Sequence, residues 1–289
     1  MVQIHPGVFF YKGDKIMSIL VMGADGYIGN RLREEMPEAS FSNDKIYTLD
    51  DAQREVAKFN PTILINCIGY TGTTVEDCEL NQDKTLMCNT YVPLLLAEVC
   101  LRNKIKFVHI SSGCLYHFDY FKDLDIEEED IPDFLDLYYC RSKIYSEAAL
   151  SALLDEHPFL ILRFRIPLDN RDHPKNLLTK LIKYKQVIDI PNSVSYVPDF
   201  INAMKHLINV EANGIYNIVN KGGLRYPELM EVYKKYVPDF EYRVIEYEQL
   251  NLIRTNLILS IKKLEATGFV MRDIHDVLEE AVLGTLNKG

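Results

Sequence analysis

Tyr139-Cys140-Arg141-Ser142-Lys143 sets a phenol and an ammonium four residues apart, opening a segment rich in Ala, Glu and Leu. On a helix that spacing is one turn, so the two side chains share a face. An ammonium beside a phenol favours the phenolate, bringing a group that ordinarily ionises near pH ~10 closer to working pH. Upstream, Phe107-Val108-His109-Ile110 reads as a buried strand that runs into Ser111-Ser112-Gly113-Cys114. A Ser112 hydroxyl at a strand end is placed to hydrogen-bond the same substrate oxygen as Tyr139. Such a set passes a proton to or from a carbonyl or alcohol while hydride moves at carbon. Tyr-x-x-x-Lys alone is also the pattern of a solvated helix face, so this chemistry requires a dinucleotide site earlier in the chain.

That site has a candidate. Ile16 to Met22 reads as a strand, Gly23-Ala24-Asp25-Gly26-Tyr27-Ile28-Gly29 as a turn, and the residues through about Met36 as a helix. Strand, glycine-rich turn and helix in that order are the context a dinucleotide fingerprint needs. The first glycine allows the tight turn, the second a close approach to pyrophosphate, and the third helix–strand packing, while the helix N-terminus attracts negative charge. The spacing is G-x-x-G-x-x-G, and a glycine-rich turn without a ligand is its plainer reading.

The elements that must position these groups follow in alternation. Strands are expected over 39–42, 62–68, 107–110 and 159–164, with helices over about 49–59 and 81–102 and from Tyr139. This pattern predicts an α/β fold, a Rossmann-type doubly wound parallel sheet with right-handed crossovers. Ligands then bind beyond the carboxyl ends of the strands, where Gly23, Gly69, Ser112 and Arg165 all fall. After residue 166 the pattern turns irregular: helices near 176–184, 198–210, from Tyr226 and over 274–286, with strands near 187–190, 214–219 and 242–245. A smaller C-terminal substrate-binding lobe is expected there. The resulting division is an extension over 1–14, a nucleotide-binding domain over 15–166 and a lobe over 167–289, some of whose segments return to the sheet.

Composition narrows the function classes. The 289 residues suit one large α/β unit or two small domains. A formal charge of −10 argues against nonspecific nucleic-acid or anionic-membrane binding and leaves room only for a local basic pocket. No apolar run approaches the roughly 20 residues needed to span a bilayer, and the N-terminus has no secretion-signal pattern. The six cysteines show no paired metal-ligand spacing. Several lie in apolar segments, as reduced buried thiols do, so an intracellular, reducing, cytoplasmic setting without a bound metal is expected. The carboxylates of Asp123–Asp130 are consecutive rather than convergent, which marks solvated surface.

Taken together, the glycine spacing, Ser112…Tyr139-x-x-x-Lys143 and the irregular last third resemble the extended short-chain dehydrogenase/reductase family. The resemblance is closest to its nucleotide-sugar reductases that make rhamnose, of the nucleotide-rhamnose synthase (epimerase/reductase) type. It rests further on Thr71-Gly72, Val75-Glu76-Asp77-Cys78-Glu79, Leu162-Arg163-Phe164-Arg165-Ile166-Pro167, Pro174-Lys175-Asn176-Leu177-Leu178-Thr179-Lys180 and Ile190-Pro191-Asn192-Ser193, and spans about residues 16–286. It implies a UDP- or dTDP-4-keto-6-deoxyglucose substrate, epimerised at C3 and C5 and reduced at C4 with NADPH, NADH being the alternative.

Carried over by position, the resemblance makes Tyr139 the proton donor to the C4 oxygen, with Lys143 lowering its pKa and holding the nicotinamide ribose. Ser112 would bond the C4 oxygen and Asn89 would support that network. Gly23, Asp25, Gly26, Tyr27, Ile28 and Gly29 would meet the pyrophosphate. Cys67, Ile68 and Gly69 would pass near the adenosine and ribose, and Asp50 and Ile166 complete the cofactor set. Protons at C3 and C5 are acidified by the C4 carbonyl, so an acid/base pair must reach the sugar. Cys114 and Lys180 fill those positions. A thiol near a cation is deprotonated more readily, though an inert buried thiol and a solvated lysine are the competing readings; His173 is a weaker alternative acid, and His109 reads as an interior histidine. Thr71, Cys114, Asn176, Lys180, Asn192 and Arg165 are the substrate-binding candidates, with Arg163 and Lys175 also considered for the diphosphate or base. The end of the second strand, Ser42-Asn43-Asp44-Lys45, has no acid directly after the strand and no arginine pair, leaving Arg31 and Lys45 to reach a 2′-phosphate. A homodimer is expected through a four-helix contact of the long helices over 81–102 and 137–154, and the chain is expected to work after a separate 4,6-dehydratase. A 4-reductase without epimerase activity is the near rival, and a noncatalytic regulatory subunit of the methionine adenosyltransferase type the distant one.

Overall fold

Parallel strands form the centre of the fold, and the inner ones, such as Ile19–Met22 and Ile63–Asn66, are mostly apolar and buried along their whole length, as parallel strands are when helices cover both sides of the sheet. The strands are β1 Ile19–Met22, β2 Ser40–Ser42, β3 Ile63–Asn66, β4 Lys106–Ser112, β5 Leu160–Phe164 and β6 Gly214–Ile218, in the order β6-β5-β4-β3-β1-β2. Leu20 of β1 lies opposite Ser40 and Leu64, and Ile65 of β3 opposite Val108, all in parallel register. The order reverses at β1, so the carboxyl ends of β1 and β3 frame the crevice where such sheets bind ligands. This computed structural model describes residues 10–12, 15–119, 125–154, 157–250 and 252–287. Most of the expected 1–14 extension, and the start of the Asp123–Asp130 loop, lie outside the described residues.

The chain divides into two units, neither continuous in sequence: residues 1–111, 135–162 and 211–215, and residues 112–134, 163–210 and 216–289. The first has its core among Leu20, Met22, Leu64, Leu96, Phe107 and Ile161, against helices α1 Tyr27–Glu35, α2 Leu49–Phe59, α3 Val92–Arg102 and α4 Tyr138–Ser151. Thr48 starts α2 with a reciprocal pair: its hydroxyl accepts from Asp51 N at 3.2 Å, and the Asp51 carboxylate accepts from Thr48 N at 2.9 Å. The second unit packs α5 Leu177–Tyr184, α6 Val197–Asn209, α7 Tyr226–Tyr236 and α8 Leu278–Leu286; Leu178, Tyr196, Leu229, Met230 and Val282 are central in its core. Two short parallel pairs complete it, Pro167–Leu168 with Ser195–Tyr196 and Gln186–Ile188 with Arg243–Ile245.

Two expected elements come out differently. The 16–22 strand breaks at Ser18, whose N–H is taken by Thr62 Oγ1 at 2.9 Å rather than by a ladder carbonyl. The long helix over 81–102 is interrupted by a π-turn, Met87–Tyr91, between Gln82–Leu86 and α3. Pro93 explains it: proline has no N–H to return to the Asn89 carbonyl four residues back, so the helix opens into a wider turn. Among the described residues no helix is long and apolar enough to cross a membrane, and no group of three or more His, Cys, Asp or Glu side chains is placed to hold a metal ion.

Candidate active site

Within the first unit the exits of β1 and β3 meet. Gly23 has φ +81°, and a Cβ there would stand 2.9 Å from Ile68 N. A Cβ on Gly29 would stand 2.3 Å from Gly23 O, so side chains at either position would push the turn away from α1 or β3. Gly26 caps α1 without a side-chain acceptor, which leaves first-turn N–H groups for an anion. Asp25 N donates to Asn43 Oδ1 at 2.7 Å, and Gly23 N to Ser42 O at 3.0 Å, tying the turn to the end of β2. These are the features a dinucleotide pyrophosphate requires, so the residues present fit such a group.

Lys143 lies on α4 behind this crevice. It is 4% exposed, and its ammonium donates to Ile110 O at 3.3 Å. A Cβ on Gly69 would be 3.5 Å from both Lys143 Nζ and Asn89 Oδ1, so Gly69, Asn89 and Lys143 converge. Burial brings Lys143 down to about 8, while the Glu147 carboxylate one turn on opposes that fall. Glu147 itself accepts from Ser111 Oγ at 2.8 Å. Burial pushes the Cys67 thiol up to about 12 and also raises Cys88. Asn89 sits in the π-turn with both amide atoms engaged: Oδ1 accepts from Tyr70 N at 2.7 Å, while Nδ2 donates to Tyr70 O at 2.9 Å and Ser142 Oγ at 3.0 Å. Ser142 Oγ in turn donates to Tyr139 O at 2.7 Å, so Asn89 fixes the first turn of α4, where Tyr139 stands. His109 is fully buried and held neutral by that burial, with Nδ1 3.1 Å from Asn66 Nδ2.

The second unit gathers another set. Ser112 Oγ accepts from Cys114 N at 3.1 Å, and Cys114 Sγ accepts from Arg165 Nη1 at 3.0 Å. The Arg165 fork also holds Asn192 Oδ1 and Thr255, and Asn192 Nδ2 donates to Asn256 Oδ1 at 2.8 Å. Tyr226, at the start of α7, is pushed up to about 12 by burial, and Arg165, Cys114, Asn192 and Arg254 all act on it. Lys180 is lowered by burial and then by the cations of Lys175 and Arg254. Arg254 therefore lies within electrostatic reach of both Lys180 and the Tyr226–Cys114 cluster. Thr255, Asn256 and Arg254 escape sequence reasoning because 252–258 carries neither helical nor strand periodicity, and Tyr226 because the sequence marks it only as the start of a helix.

Other candidates occupy separate places. Asn176 is buried and caps α5: its Oδ1 accepts from Leu178 N and Asp169 N, and its Nδ2 donates to Asp169 O, Arg171 O and Thr285 Oγ1. Arg163 is 1% exposed, with a bond to Glu128 O and its guanidinium over the Tyr116 ring. Arg31 is buried and ion-paired to Glu34 and Glu35. Lys45 lies in a cleft beyond β2 with Asp44, Asp51, Arg54 and Glu55. Asp50 is exposed in the first turn of α2, and Thr71 bonds the neighbouring Gly72 O at 3.4 Å. His173 accepts from Lys175 N at 3.0 Å. Ile166 has φ +36°, a strained conformation for a β-branched residue.

The six parallel strands, their flanking helices and the glycine turn after β1 define a Rossmann-like α/β protein. The chain belongs to the family of the RmlD substrate binding domain, whose model matches residues 17–222. A trifunctional UDP-glucose 4,6-dehydratase/UDP-4-keto-6-deoxy-D-glucose 3,5-epimerase/UDP-4-keto-L-rhamnose-reductase of Arabidopsis thaliana is 28% identical over 251 residues, which cover 82% of this chain and 37% of that protein. The chain thus spans little more than a third of that relative. The bifunctional dTDP-4-dehydrorhamnose 3,5-epimerase/dTDP-4-dehydrorhamnose reductase of the same plant is 26% identical over 244 residues, 80% of each chain. Among solved structures, the UDP-rhamnose synthase of Acanthamoeba polyphaga mimivirus superposes with TM-score 0.86 at 22% identity, over 93% of this chain and 99% of that one. The dTDP-4-dehydrorhamnose reductase of Bacillus anthracis in complex with NADP gives 0.79 at 21% identity, over 93% and 99%. The resemblance read from the motifs and these comparisons name the same family.

Proposed function

We propose that this chain is an NADPH-dependent enzyme of rhamnose biosynthesis that epimerises a UDP-4-keto-6-deoxyglucose at C3 and C5 and reduces it at C4, downstream of a separate 4,6-dehydratase. The reductase half is supported by the family and by relatives whose names carry that activity. The observation that carries the reading of both activities in one chain is Cys114, held at its sulfur by a buried arginine, in the unit that also holds Lys180.

When bound, NADPH supplies the hydride. Its pyrophosphate would rest on the backbone of Gly23–Gly29 at the N-terminus of α1, and Lys45 beyond β2 is the candidate cation for a 2′-phosphate. Tyr139 gives its phenolic proton to the C4 oxygen, and the Lys143 ammonium stabilises the phenolate left behind. Ser112 steadies the same oxygen. For epimerisation, the Cys114 sulfur takes the proton from C3 or C5: the C–H bond breaks, an S–H bond forms, and the electron pair passes to the C4 carbonyl oxygen. The Lys180 ammonium returns a proton to the opposite face, a role that its lowered affinity for protons suits. The residues after 166 hold the nucleotide sugar. We further propose a homodimer through the helical segments 82–102 and 138–151, and a cytoplasmic site of action.

The test of this reading is NADPH oxidation, followed by absorbance, with purified chain and UDP-4-keto-6-deoxyglucose, products being identified by chromatography. UDP-rhamnose supports it. Turnover only of a substrate already epimerised would restrict the chain to reduction.

A further inference from the structure

We propose that Arg165 is the positioning residue of Cys114: its guanidinium fixes the sulfur and stabilises the negative charge the sulfur carries as a base, and it is not an anchor for the substrate diphosphate. This rests on the reading of Cys114 as the epimerising base and assigns that base its support.

The argument begins with saturation. A guanidinium has five N–H donors and stays charged in proteins. Arg165 is 1% exposed, and the donors of its fork make six hydrogen bonds to five acceptors. Nε and Nη2 reach Asn192 Oδ1 at 3.2 and 2.6 Å. Nη2 also reaches Thr255 O at 2.7 Å. Nη1 reaches Gly113 O at 3.2 Å, Cys114 Sγ at 3.0 Å and Thr255 Oγ1 at 3.1 Å. A phosphate oxygen would have to displace bonds already made.

Charge is the second step. Among the described residues no carboxylate bonds this guanidinium; its partners are amide, carbonyl, hydroxyl and thiol groups. A buried cation left without a counter-charge is costly. Arg165, Cys114 and the Arg254 cation all act on Tyr226. Tyr226, pushed up to about 12 by burial, stays neutral at working pH. The sulfur is the group at hydrogen-bond distance that can carry the compensating charge.

Backbone geometry confines the arginine to this place. Arg165 N donates to Ser195 Oγ at 3.0 Å, and Ser195 N to Arg165 O at 2.8 Å, clamping both sides of the residue just before the strained Ile166. A Cβ on Gly113 would stand 3.1 Å from Arg165 Cβ and 2.7 Å from Leu259 Cδ1. Glycine there lets the chain carrying Cys114 lie directly on the arginine.

Alkylation of the full chain by iodoacetamide near neutral pH, read by mass spectrometry on the peptide carrying Cys114, tests this without turnover. In the parent protein Cys114 should react about tenfold faster than in the urea-unfolded chain, since the thiolate is the nucleophile. Arg165→Met should remove that acceleration and Arg165→Lys restore part of it, with exchange at C3 and C5 falling in parallel and NADPH binding unchanged. Unaccelerated Cys114 in the parent overturns the proposal even if Arg165→Met fails to fold. So does full acceleration in a folded Arg165→Met protein with a raised KM for the nucleotide sugar, which would make Arg165 a substrate anchor. Accelerated, Arg165-dependent alkylation with no C3 or C5 exchange upholds the pairing and sinks only the epimerase reading.

Discussion

Cys114 and Tyr139 divide the proposed chemistry, and the division can be tested one residue at a time. Cys114→Ala should abolish exchange of the C3 and C5 protons and leave cofactor binding intact, as read by proton NMR and fluorescence titration. Tyr139→Phe should do the reverse, lowering reduction by roughly 10²–10⁴-fold, the usual worth of a general acid, while exchange persists. Normal exchange in the first variant removes Cys114 from the mechanism. Lys143 supplies a prediction with a sign. Its folded value, about 8, lies below the ordinary 10.5, so between those values the folded chain holds fewer protons than the unfolded one. Its burial therefore destabilises the fold fully below pH about 8, and the stability rises as pH climbs through the window. Reduction needs the charged ammonium and should fall over the same window. Lys143→Met should lose activity yet gain about 1–3 kcal/mol in urea unfolding; a loss of stability, or a flat rate profile, would contradict this. As candidates, Tyr139, Lys143, Ser112 and Cys114 were legible in sequence because spacing and strand-end position mark them. The cluster on Arg165 was not: Thr255 and Tyr226 come from remote segments, and only packing brings them to it.

At the scale of elements, strand and helix existence followed from hydrophobic pattern, while boundaries and breaks depended on single bonds the pattern does not encode. The 81–102 helix read as one element because its apolar periodicity runs on, yet the missing N–H of Pro93 widens a turn and turns Asn89 inward. That side chain then bridges Tyr70 and Ser142, linking the exit of β3 to α4. Asn89→Ala would leave the Tyr70 amide and carbonyl and the Ser142 hydroxyl short of partners inside the unit. It should cost about 2–4 kcal/mol in urea unfolding and lower reduction more than exchange. Stability within about 0.5 kcal/mol of the parent would show that the bridge is dispensable. The short pair Pro167–Leu168 with Ser195–Tyr196 escaped notice because two-residue strands carry no period.

For the whole molecule, the alternation of strands and helices was enough to foresee a doubly wound parallel sheet, since few other arrangements bury such strands. The two units were harder to read, because each draws on segments distant in sequence that no local pattern joins. Dimerisation through the segments 82–102 and 138–151 belongs to this scale, where Tyr91 and Tyr145 are 50% and 46% exposed. Sedimentation velocity should give twice the monomer mass, and Tyr145→Glu should shift it toward the monomer; a monomeric parent would end that reading. The central claim, two activities in one chain, is tested most directly by incubating the protein with UDP-4-keto-6-deoxyglucose in D2O, with and without NADPH. The account predicts deuterium at C3 and C5 without NADPH and UDP-rhamnose with it. NADPH oxidation without deuterium incorporation, or no reaction in either arm, would contradict it.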